Sequence, residues 1–483
     1  MQRTPRLFID GQWVSRTDHL FDVICPSTEE RIGQAADASE EDVDTAVRAA
    51  RRAFEDGPWR RLSVGERAEL IERAAELFGV RAEQTGWLVT AEMGVPISTS
   101  VMLARRAANT MIAWAELARS TPLTEFRTAG GPTAVVREPV GVCAAISPWN
   151  GPVGMAVGKI VPALLAGCSV VYKPAPETPF DIAFLVDALR EAGLPAGVLN
   201  VVTGGAETGR LLIRHPGVDK VGFTGSTAVG REIGAACGSE FKRVQLELGG
   251  KSAAIVLEDA EPDQVRAGLA MGCFFNSGQV CAALSRVLAP RRIYDEVVSW
   301  MEQAAGGWVL GDPFDSATTL GPLVSERQRM RVENYIGLGV EAGARLVCGG
   351  GRPEQPGKGW FIEPTVFADA DNTMRIAREE IFGPVAVVVP YDDPEDAVRI
   401  ANDSEYGLHG AVFTSDPEKA ISVARRIRTG TFSINNFVYN NRVPFGGVKS
   451  SGIGRDSGKE GYESFFELKT INLDAGTAPL FAP

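Results

Sequence analysis

Histidine is nearly absent: among 483 residues only His19, His215 and His409 occur. His215 precedes Pro216 at an expected helix end and His409 lies between Leu408 and Gly410, so both read as capping or packing residues. A nucleophile that needs a His base therefore has little to draw on. Positive charge is short as well. Lys and Arg number 49 against 61 Asp and Glu, a net charge of −12, which argues against a nucleic-acid or anionic-membrane surface. No apolar run approaches the ~20 residues of a membrane helix. The start of the chain, residues 1–6, is basic but no apolar stretch follows, so no signal peptide is expected and the cytoplasm is the expected compartment. Cys25, Cys143, Cys168, Cys237, Cys273, Cys281 and Cys348 show no C-x-x-C spacing. Such a scattered, odd set predicts reduced thiols with no disulfide frame and no metal site.

The rest is the composition of an ordinary soluble chain, 45% hydrophobic and 23% charged with 53 Gly, long enough for roughly two or three domains. Residues 39–119 read as helices. Ser63-Val64-Gly65-Glu66 has the form of a capping box, and Ala68, Leu70, Ile71, Ala74, Leu77 and Phe78 keep helical spacing after it. Residues 120–132, with Thr, Gly and Pro, break the pattern and read as the first half of an excursion from the main body. Strands at 140–146, 169–173, 198–202 and 220–223 then alternate with helices at 153–165, 178–191, 206–214 and 225–236. That alternation means βαβ units and a parallel sheet, a dinucleotide-type domain in outline. The rhythm restarts after Lys251, with a strand at 252–257, a helix at 262–272 and a capping box at Ser325-Glu326-Arg327-Gln328. Asp393-Pro394 and Asp416-Pro417 open further helices behind strands at 386–390 and 410–414. The expected fold is α/β, with two α/β domains joined near residue 248.

Cys281 ends the run Phe274-Phe275-Asn276-Ser277-Gly278-Gln279-Val280-Cys281. A buried apolar thiol is the common fate of a cysteine, but Ser277-Gly278-Gln279 supplies small and polar neighbours where a core thiol would have apolar ones. A peptide N–H beside the thiol also suits the oxygen of an adduct. Glu247 closes a strand-like run and is followed by Leu248-Gly249-Gly250-Lys251. Alone it is a solvated carboxylate; coupled to Cys281 it is a general base for water. Asn150, in Ser147-Pro148-Trp149-Asn150, is either an N-cap or an amide donor to an oxyanion. Phe223-Thr224-Gly225-Ser226-Thr227-Ala228-Val229-Gly230 joins a strand to a helix N-terminus, where free N–H groups bind anions such as a pyrophosphate. Lys173-Pro174-Ala175 offers a cation or ribose-hydroxyl donor beside it. Glu380, ahead of Ile381-Phe382-Gly383-Pro384, is a surface carboxylate or the acceptor for a ribose diol. Residues 444–455 are too glycine-rich for helix or strand and predict a folded, close-packed loop.

Six motifs thus follow one another: Pro148-Trp149-Asn150, Lys173-Pro174-Ala175, Phe223 to Thr227, Glu247 to Lys251, Gly278-Gln279-Val280-Cys281 and Glu380 to Pro384, with the loop 444–455 as a seventh. In that order, over roughly Phe8 to Leu473, the chain resembles the aldehyde dehydrogenase superfamily, of the hydrolytic NAD(P)-dependent type. The resemblance implies a Rossmann-like dinucleotide-binding domain (1–119 and 139–247) and a second α/β catalytic domain bearing the nucleophile (248–445). It implies oligomerisation or bridging segments at 120–138 and 446–483, with a small β oligomerisation arm formed by the 120–138 excursion and the strand around Leu468 to Leu473, hence a homodimer or homotetramer. It also implies oxidation of an aldehyde to a carboxylic acid. Cys281 would attack the aldehyde, Asn150 and the Cys281 N–H would hold the oxyanion, and Glu247 would activate the water that hydrolyses the thioester. A carboxylate at this position favours hydrolysis over transfer to coenzyme A. Lys173 and Glu380 would position the riboses, Gly225, Ser226 and Gly230 the pyrophosphate, while Pro148, Trp149 and Phe382 would pack around the cofactor.

NAD-preferring members often carry Glu three residues after the lysine; here Pro176 stands there, with Glu177 next. Any nearby carboxylate would repel a 2′-phosphate, so NAD is expected, with NADP the alternative. Gly151, Gly154 and Gly158 replace residues that are often bulky in the family. They predict a wide tunnel walled by Phe275, Tyr439 and Phe445 for a bulky or apolar aldehyde, against the plainer reading that they serve helix packing. A semialdehyde dehydrogenase for a small charged substrate is the competing expectation, with Arg442 as the tunnel cation. A silent binding protein of the same fold would be free to lose Cys281, Glu247 or Asn150, and keeps all three. A thiol hydrolase would want a histidine.

Overall fold

The computed structural model describes residues 6–481; the basic start of the chain, except for Arg6, lies outside them. Two large sheets carry the fold. The first holds five parallel strands, Val142–Ile146, Ser169–Lys173, Leu199–Val201, Lys220–Thr224 and Arg243–Glu247, in the spatial order fifth, fourth, first, second, third. This is the doubly wound order of dinucleotide-binding sheets, which reverses between its first and fourth strands. Arg6–Ile9 and Gln12–Ser15 extend one edge antiparallel. The strands Val142–Ile146 and Ser169–Lys173 are buried at every position, because helices cover both faces, so they read as continuous apolar runs.

The second sheet orders Thr365–Ala368, Val385–Tyr391, Arg286–Pro290, Ala253–Val256, Gly410–Phe413 and Ser433–Ile434 in parallel, with Arg345–Cys348 antiparallel at one edge. Separate apolar clusters fill the two faces of each sheet. The chain passes from one sheet to the other through residues 248–252, directly behind Glu247. The 120–132 excursion carries the strand Thr124–Arg127, which with Thr133–Pro139 and Phe466–Asn472 makes a third, three-stranded antiparallel sheet.

Four helices occupy the expected helical region: Glu40–Glu55, Val64–Gly79, Ala82–Met93 and Ile97–Ser120. The Ser63–Glu66 capping box forms. A second box, Ser39 with Asp42, was not anticipated, because Asp stands where Glu or Gln is usual. At Ser325 only half a box forms: Ser325 caps Gln328, but the Gln328 amide is used elsewhere. The expected helix at 178–191 begins only at Ile182, and that at 225–236 runs Thr227–Ser239 with Ser226 as its cap.

One expectation for the end of the chain is corrected. Within the glycine-rich loop, Gly452–Ile453 pairs antiparallel with Leu246 and Glu247 as an edge strand of the first sheet. The segment after residue 445 thus runs along the first sheet before it reaches the strand Phe466–Asn472. The helix Gly458–Glu463 lodges Tyr462, fully buried, in the core beside the first sheet, and only Phe466–Asn472 joins the three-stranded sheet.

Candidate active site

The expected helix at 262–272 is regular only over Pro262–Leu269. It continues as a π-helical turn, Ala270–Phe274, and then as Phe275–Gly278. Asn276 (φ 56°), Ser277 (φ 55°) and Gly278 (φ 68°) are three successive left-handed residues. Only the third is a glycine, so the first two store strain of about 1–3 kcal/mol each. Hydrogen bonds hold it: Ser277 Oγ donates to Gly321 O at 2.7 Å, Gln279 Nε2 to Asn276 O at 3.1 Å, and Val324 N donates to Gln279 Oε1 at 3.0 Å. A Cβ at Gly278 would stand 2.0 Å from Gly383 O, and one at Gly250 would stand 2.4 Å from Cys281 O. Three of the sequence motifs therefore meet backbone to backbone.

The turn leaves Cys281 half-buried between the sheets. Burial, then the charges of Glu380 and Glu247, push its thiol up to about 12, against the pull of the Ala282 and Cys281 backbone N–H groups. Those two N–H groups face the sulfur. The other cysteines are buried except half-buried Cys348, and all seven are free.

Glu247 is 3% exposed, and among the described residues neither carboxylate oxygen has a hydrogen-bond partner. Burial and then the nearby Asp456 charge raise its proton affinity well above the usual carboxylate range, while Lys159 and Arg455 act the other way. Asp456 pairs with Lys159 Nζ at 3.2 Å and with the Gln245 amide. This group behind Glu247 escaped the sequence reading. Lys159 was the available signal, a lone cation in the otherwise apolar helix Pro152–Ala166.

Asn150 is not a cap: Gly151 holds the cap position of that helix, without a side-chain bond. The Asn150 amide instead crosses to the second sheet's turn, donating to Gln279 O at 2.9 Å, while Asn276 Nδ2 donates to Asn150 O at 3.1 Å. One Asn150 N–H remains for a further acceptor. None of the three histidines enters the site. His215 closes a turn against Asp44, and His409 is buried against Phe437, its ring pushed down to about 4 by burial.

A second group of residues collects at the carboxyl ends of the first sheet, where the strand order reverses. Ser226 caps its helix, accepting from Val229 N at 3.4 Å, and is exposed. Gly225 N donates to Glu247 O at 3.0 Å, joining this junction to the base. Thr224 Oγ1, at the same strand end, is buried with no partner. At Gly230 a Cβ would overlap Leu248 at 2.4 Å, so the missing side chain permits close helix–strand packing at this junction. Trp149 meets Phe382 edge to face, ring centroids 5.3 Å apart, and Pro148 precedes it in the same loop. Lys173 Nζ donates to Pro174 O at 3.1 Å, and burial draws its ammonium down to about 8 against Glu177 and Asp37. Glu177 itself is held by Arg327 at 3.4 Å.

Glu380 lies over the glycine turn: its Oε1 accepts from Gly250 N at 3.0 Å, and its Oε2 would touch any Cβ at Gly249 at 2.5 Å. Its loop, with Phe382 left-handed at φ 63°, is pinned from the helix Glu326–Glu341. Gln328 Nε2 donates to Phe382 O at 2.8 Å, and Arg331 donates to Glu380 O and Ile381 O. The capping-box reading of Gln328 hid this role.

Over Gly154 and Gly158 a Cβ would meet nothing within 4 Å, and at Gly151 only Met155 at 3.6 Å. These glycines border open space rather than a packed neighbour. Tyr439 and Phe445 contact edge to face at 5.1 Å, and the Tyr439 hydroxyl lies 3.3 Å from Ser457 Oγ. Phe275, half-buried, opens the left-handed turn itself. Arg442 pairs with Glu116 at 3.2 Å, both of them largely exposed. The nearer cation is Arg106, whose Nη2 donates to Tyr439 O at 2.7 Å and whose guanidinium lies 5.5 Å over the Tyr439 ring. Among the described residues Arg106 has no carboxylate partner, and no helix is long and apolar enough to cross a membrane.

Known proteins share this sequence pattern and fold over nearly the whole chain. The model of the aldehyde dehydrogenase family matches residues 13–471. The chain is 45% identical to a geranial dehydrogenase of Castellaniella defragrans, over 97% of this chain and 98% of that one. It is 43% identical to a 3-succinoylsemialdehyde-pyridine dehydrogenase of a Pseudomonas species, over 98% of this chain and 99% of the relative. Among solved structures, a Mycobacterium tuberculosis aldehyde dehydrogenase complexed with NAD+ superposes with a TM-score of 0.96 at 47% identity, covering 98% of this chain and 99% of that one.

Proposed function

Since the chain belongs to the aldehyde dehydrogenase family, we infer that it oxidises an aldehyde to the carboxylic acid with NAD, through a thioester on Cys281. One observation carries the reading: a half-buried thiol, a buried carboxylate with both oxygens unpartnered and an amide with an unused N–H converge between the two sheets. The Cys281 sulfur, its proton released to solvent, attacks the aldehyde carbon. The Asn150 amide and the Cys281 N–H stabilise the oxyanion that forms. As the oxyanion collapses, the former aldehyde C–H leaves as hydride, for which a bound nicotinamide would be the acceptor, and the thioester remains on Cys281. Glu247 then takes a proton from water as the thioester is hydrolysed, and the acid leaves.

The residues at the strand-order reversal fit a dinucleotide. Exposed Ser226 at a helix N-terminus suits a pyrophosphate, with Gly225 beside it, while unpartnered Thr224, Lys173 and Glu380 suit hydroxyl and ribose groups. Trp149, Pro148 and Phe382 supply apolar surface there. When bound, the nicotinamide supplies the hydride acceptor. The NAD+ complex of the similar structure supports NAD. Pro176 offers no acceptor for the 2′-hydroxyl and Glu177 is held by Arg327, which makes NADP the alternative to test.

The open space over Gly154 and Gly158 supports a wide tunnel for a bulky or apolar aldehyde, and the relative named for geranial fits that reading. Arg106 beside the Tyr439 wall favours one second reading, an aldehyde with an anionic or strongly accepting far end; the relative named for a succinoylsemialdehyde fits that one. Reduced-cofactor formation with short, long, terpenoid, aromatic and anionic aldehydes, each with NAD and NADP, separates the two. Turnover concentrated on long or bulky apolar aldehydes with NAD is expected. A preference for anionic ones installs the second reading, and no turnover from folded protein with a titratable Cys281 sinks both. Gly154→Trp, which fills the open space, is expected to lower kcat/KM on a long aldehyde about tenfold more than on acetaldehyde. Equal losses would remove the tunnel.

The proposal includes a homodimer or homotetramer and a cytoplasmic setting. The strand Phe466–Asn472 has an unpaired outer edge and Leu468 is 66% exposed on it; such an edge calls for a cover. Seven free thiols suit a reducing compartment.

A further inference from the structure

In a doubly wound sheet the second strand ends beside the adenosine ribose. An acidic side chain there takes the 2′-hydroxyl of NAD, or an Arg takes the 2′-phosphate of NADP. The second strand here is Ser169–Lys173, and its end carries both groups. Glu177 lies four residues beyond Lys173, and with Asp37 it acts on the Lys173 ammonium. Asp37 is committed to Gly205 N and Thr208 Oγ1, both at 3.1 Å. Glu177 Oε1 accepts instead from Arg327 Nη2 at 3.4 Å. This Arg comes from a different layer. It stands in the first turn of the helix Glu326–Glu341, whose Val332, Tyr335 and Ile336 pack in the core of the second sheet. Its side chain is 87% exposed, against 20% for Glu177. The same helix holds the Glu380 loop through Gln328 and Arg331.

We propose that Arg327 is a specificity-determining residue for the cofactor: it neutralises Glu177 in the resting protein and turns to the 2′-phosphate when NADP binds. The inference rests on the reading of the strand-order reversal as the dinucleotide site. Pro176 brings no side-chain acceptor, so discrimination falls to this pair. With NAD, the 2′-hydroxyl donates to Glu177 Oε2, the oxygen outside the Arg327 bond, and the pair stays closed. With NADP, Glu177 alone would repel the phosphate. An exposed ion pair held by one hydrogen bond is weak. A phosphate offers the guanidinium more charge and two parallel acceptors, which is the stronger contact. The positive end of the helix adds to it. The chain therefore prefers NAD and binds NADP as well.

Calorimetric titration of the resting protein tests this without turnover. The ligands are NAD, NADP, adenosine 5′-monophosphate and adenosine 2′,5′-bisphosphate; the last two differ only by the 2′-phosphate. In Arg327→Gln the Kd for NADP and for the bisphosphate should rise about tenfold, while NAD and the monophosphate change less than about threefold. In Glu177→Gln the guanidinium is released, and both 2′-phosphorylated ligands should bind about tenfold tighter. Equal changes for phosphorylated and plain ligands in either variant overturn the inference, because a purely structural pair weakens both alike. Unchanged NADP affinity in Arg327→Gln overturns it too, as does a native protein that binds NAD and no NADP. Failure of the native protein to bind NAD or the monophosphate would instead remove the dinucleotide site on which the inference rests.

Discussion

Cys281→Ala is expected to lower aldehyde oxidation by about 10⁴-fold or more, since removing a nucleophile leaves only binding and oxyanion stabilisation. NAD titration should be nearly unchanged, because the dinucleotide residues lie on other segments. The thiol itself gives a second readout. Its proton is held up to about 12 by burial and by the charges of Glu380 and Glu247. A group below its pKa gains about tenfold in thiolate per pH unit. Alkylation of the resting protein by iodoacetamide should therefore keep rising from pH 7 to 10. A plateau near pH 8 would show that burial and the two carboxylates do not hold the thiol proton. Retention of full dehydrogenase activity by the alanine variant would end the thioester mechanism.

Glu247→Gln should separate the two halves of the reaction. Attack at Cys281 needs no base at this position, so one equivalent of reduced cofactor per site is expected in a burst. Steady-state turnover should then fall by about 10³-fold, within the range of general-base effects. Mass spectrometry of the stalled protein should find the acyl group on Cys281. The acid limb of the pH profile should report the Glu247 proton, which burial and Asp456 hold well above the usual carboxylate range. Glu247 works as a base only when ionised, so turnover rises with pH through that limb. Asp456→Asn removes a like charge and frees Lys159, which lowers the proton affinity and moves the limb to lower pH. A limb that moves upward, or an absent burst with the glutamine variant, would assign the base elsewhere.

Four of the six motifs, those at Asn150, Lys173, Ser226 and Glu247, were legible because they follow parallel strands, which announce themselves as short apolar runs buried on both faces. The Cys281 and Glu380 segments lie instead in turns ahead of strands and stood out by their residue types. The supports of those residues were not legible, because their partners are far along the chain. Lys159 and Asp456 are separated by 297 positions, and no local pattern joins them. Gln328 fits a capping box and instead holds the Ile381 and Phe382 carbonyls. Asn276 and Ser277 carry positive φ with no glycine to signal it, since the strain is met by hydrogen bonds from Ser277 and Gln279. Arg442 was the visible cation, while Arg106, on the helix Ile97–Ser120 within the stretch read only as helical, is the one against Tyr439.

The return of Gly452–Ile453 to the edge of the first sheet makes the Glu247 strand depend on a stretch some two hundred residues further along the chain. That short strand covers Leu246 and Glu247, Ser451 O accepts from Leu248 N at 3.0 Å, and Asp456 stands behind the Glu247 carboxylate. Loss of residues 451–456 would leave the Glu247 strand an unpaired edge, while the hydrogen bonds of the Cys281 turn, from Ser277, Gln279 and Val324, would stay in place.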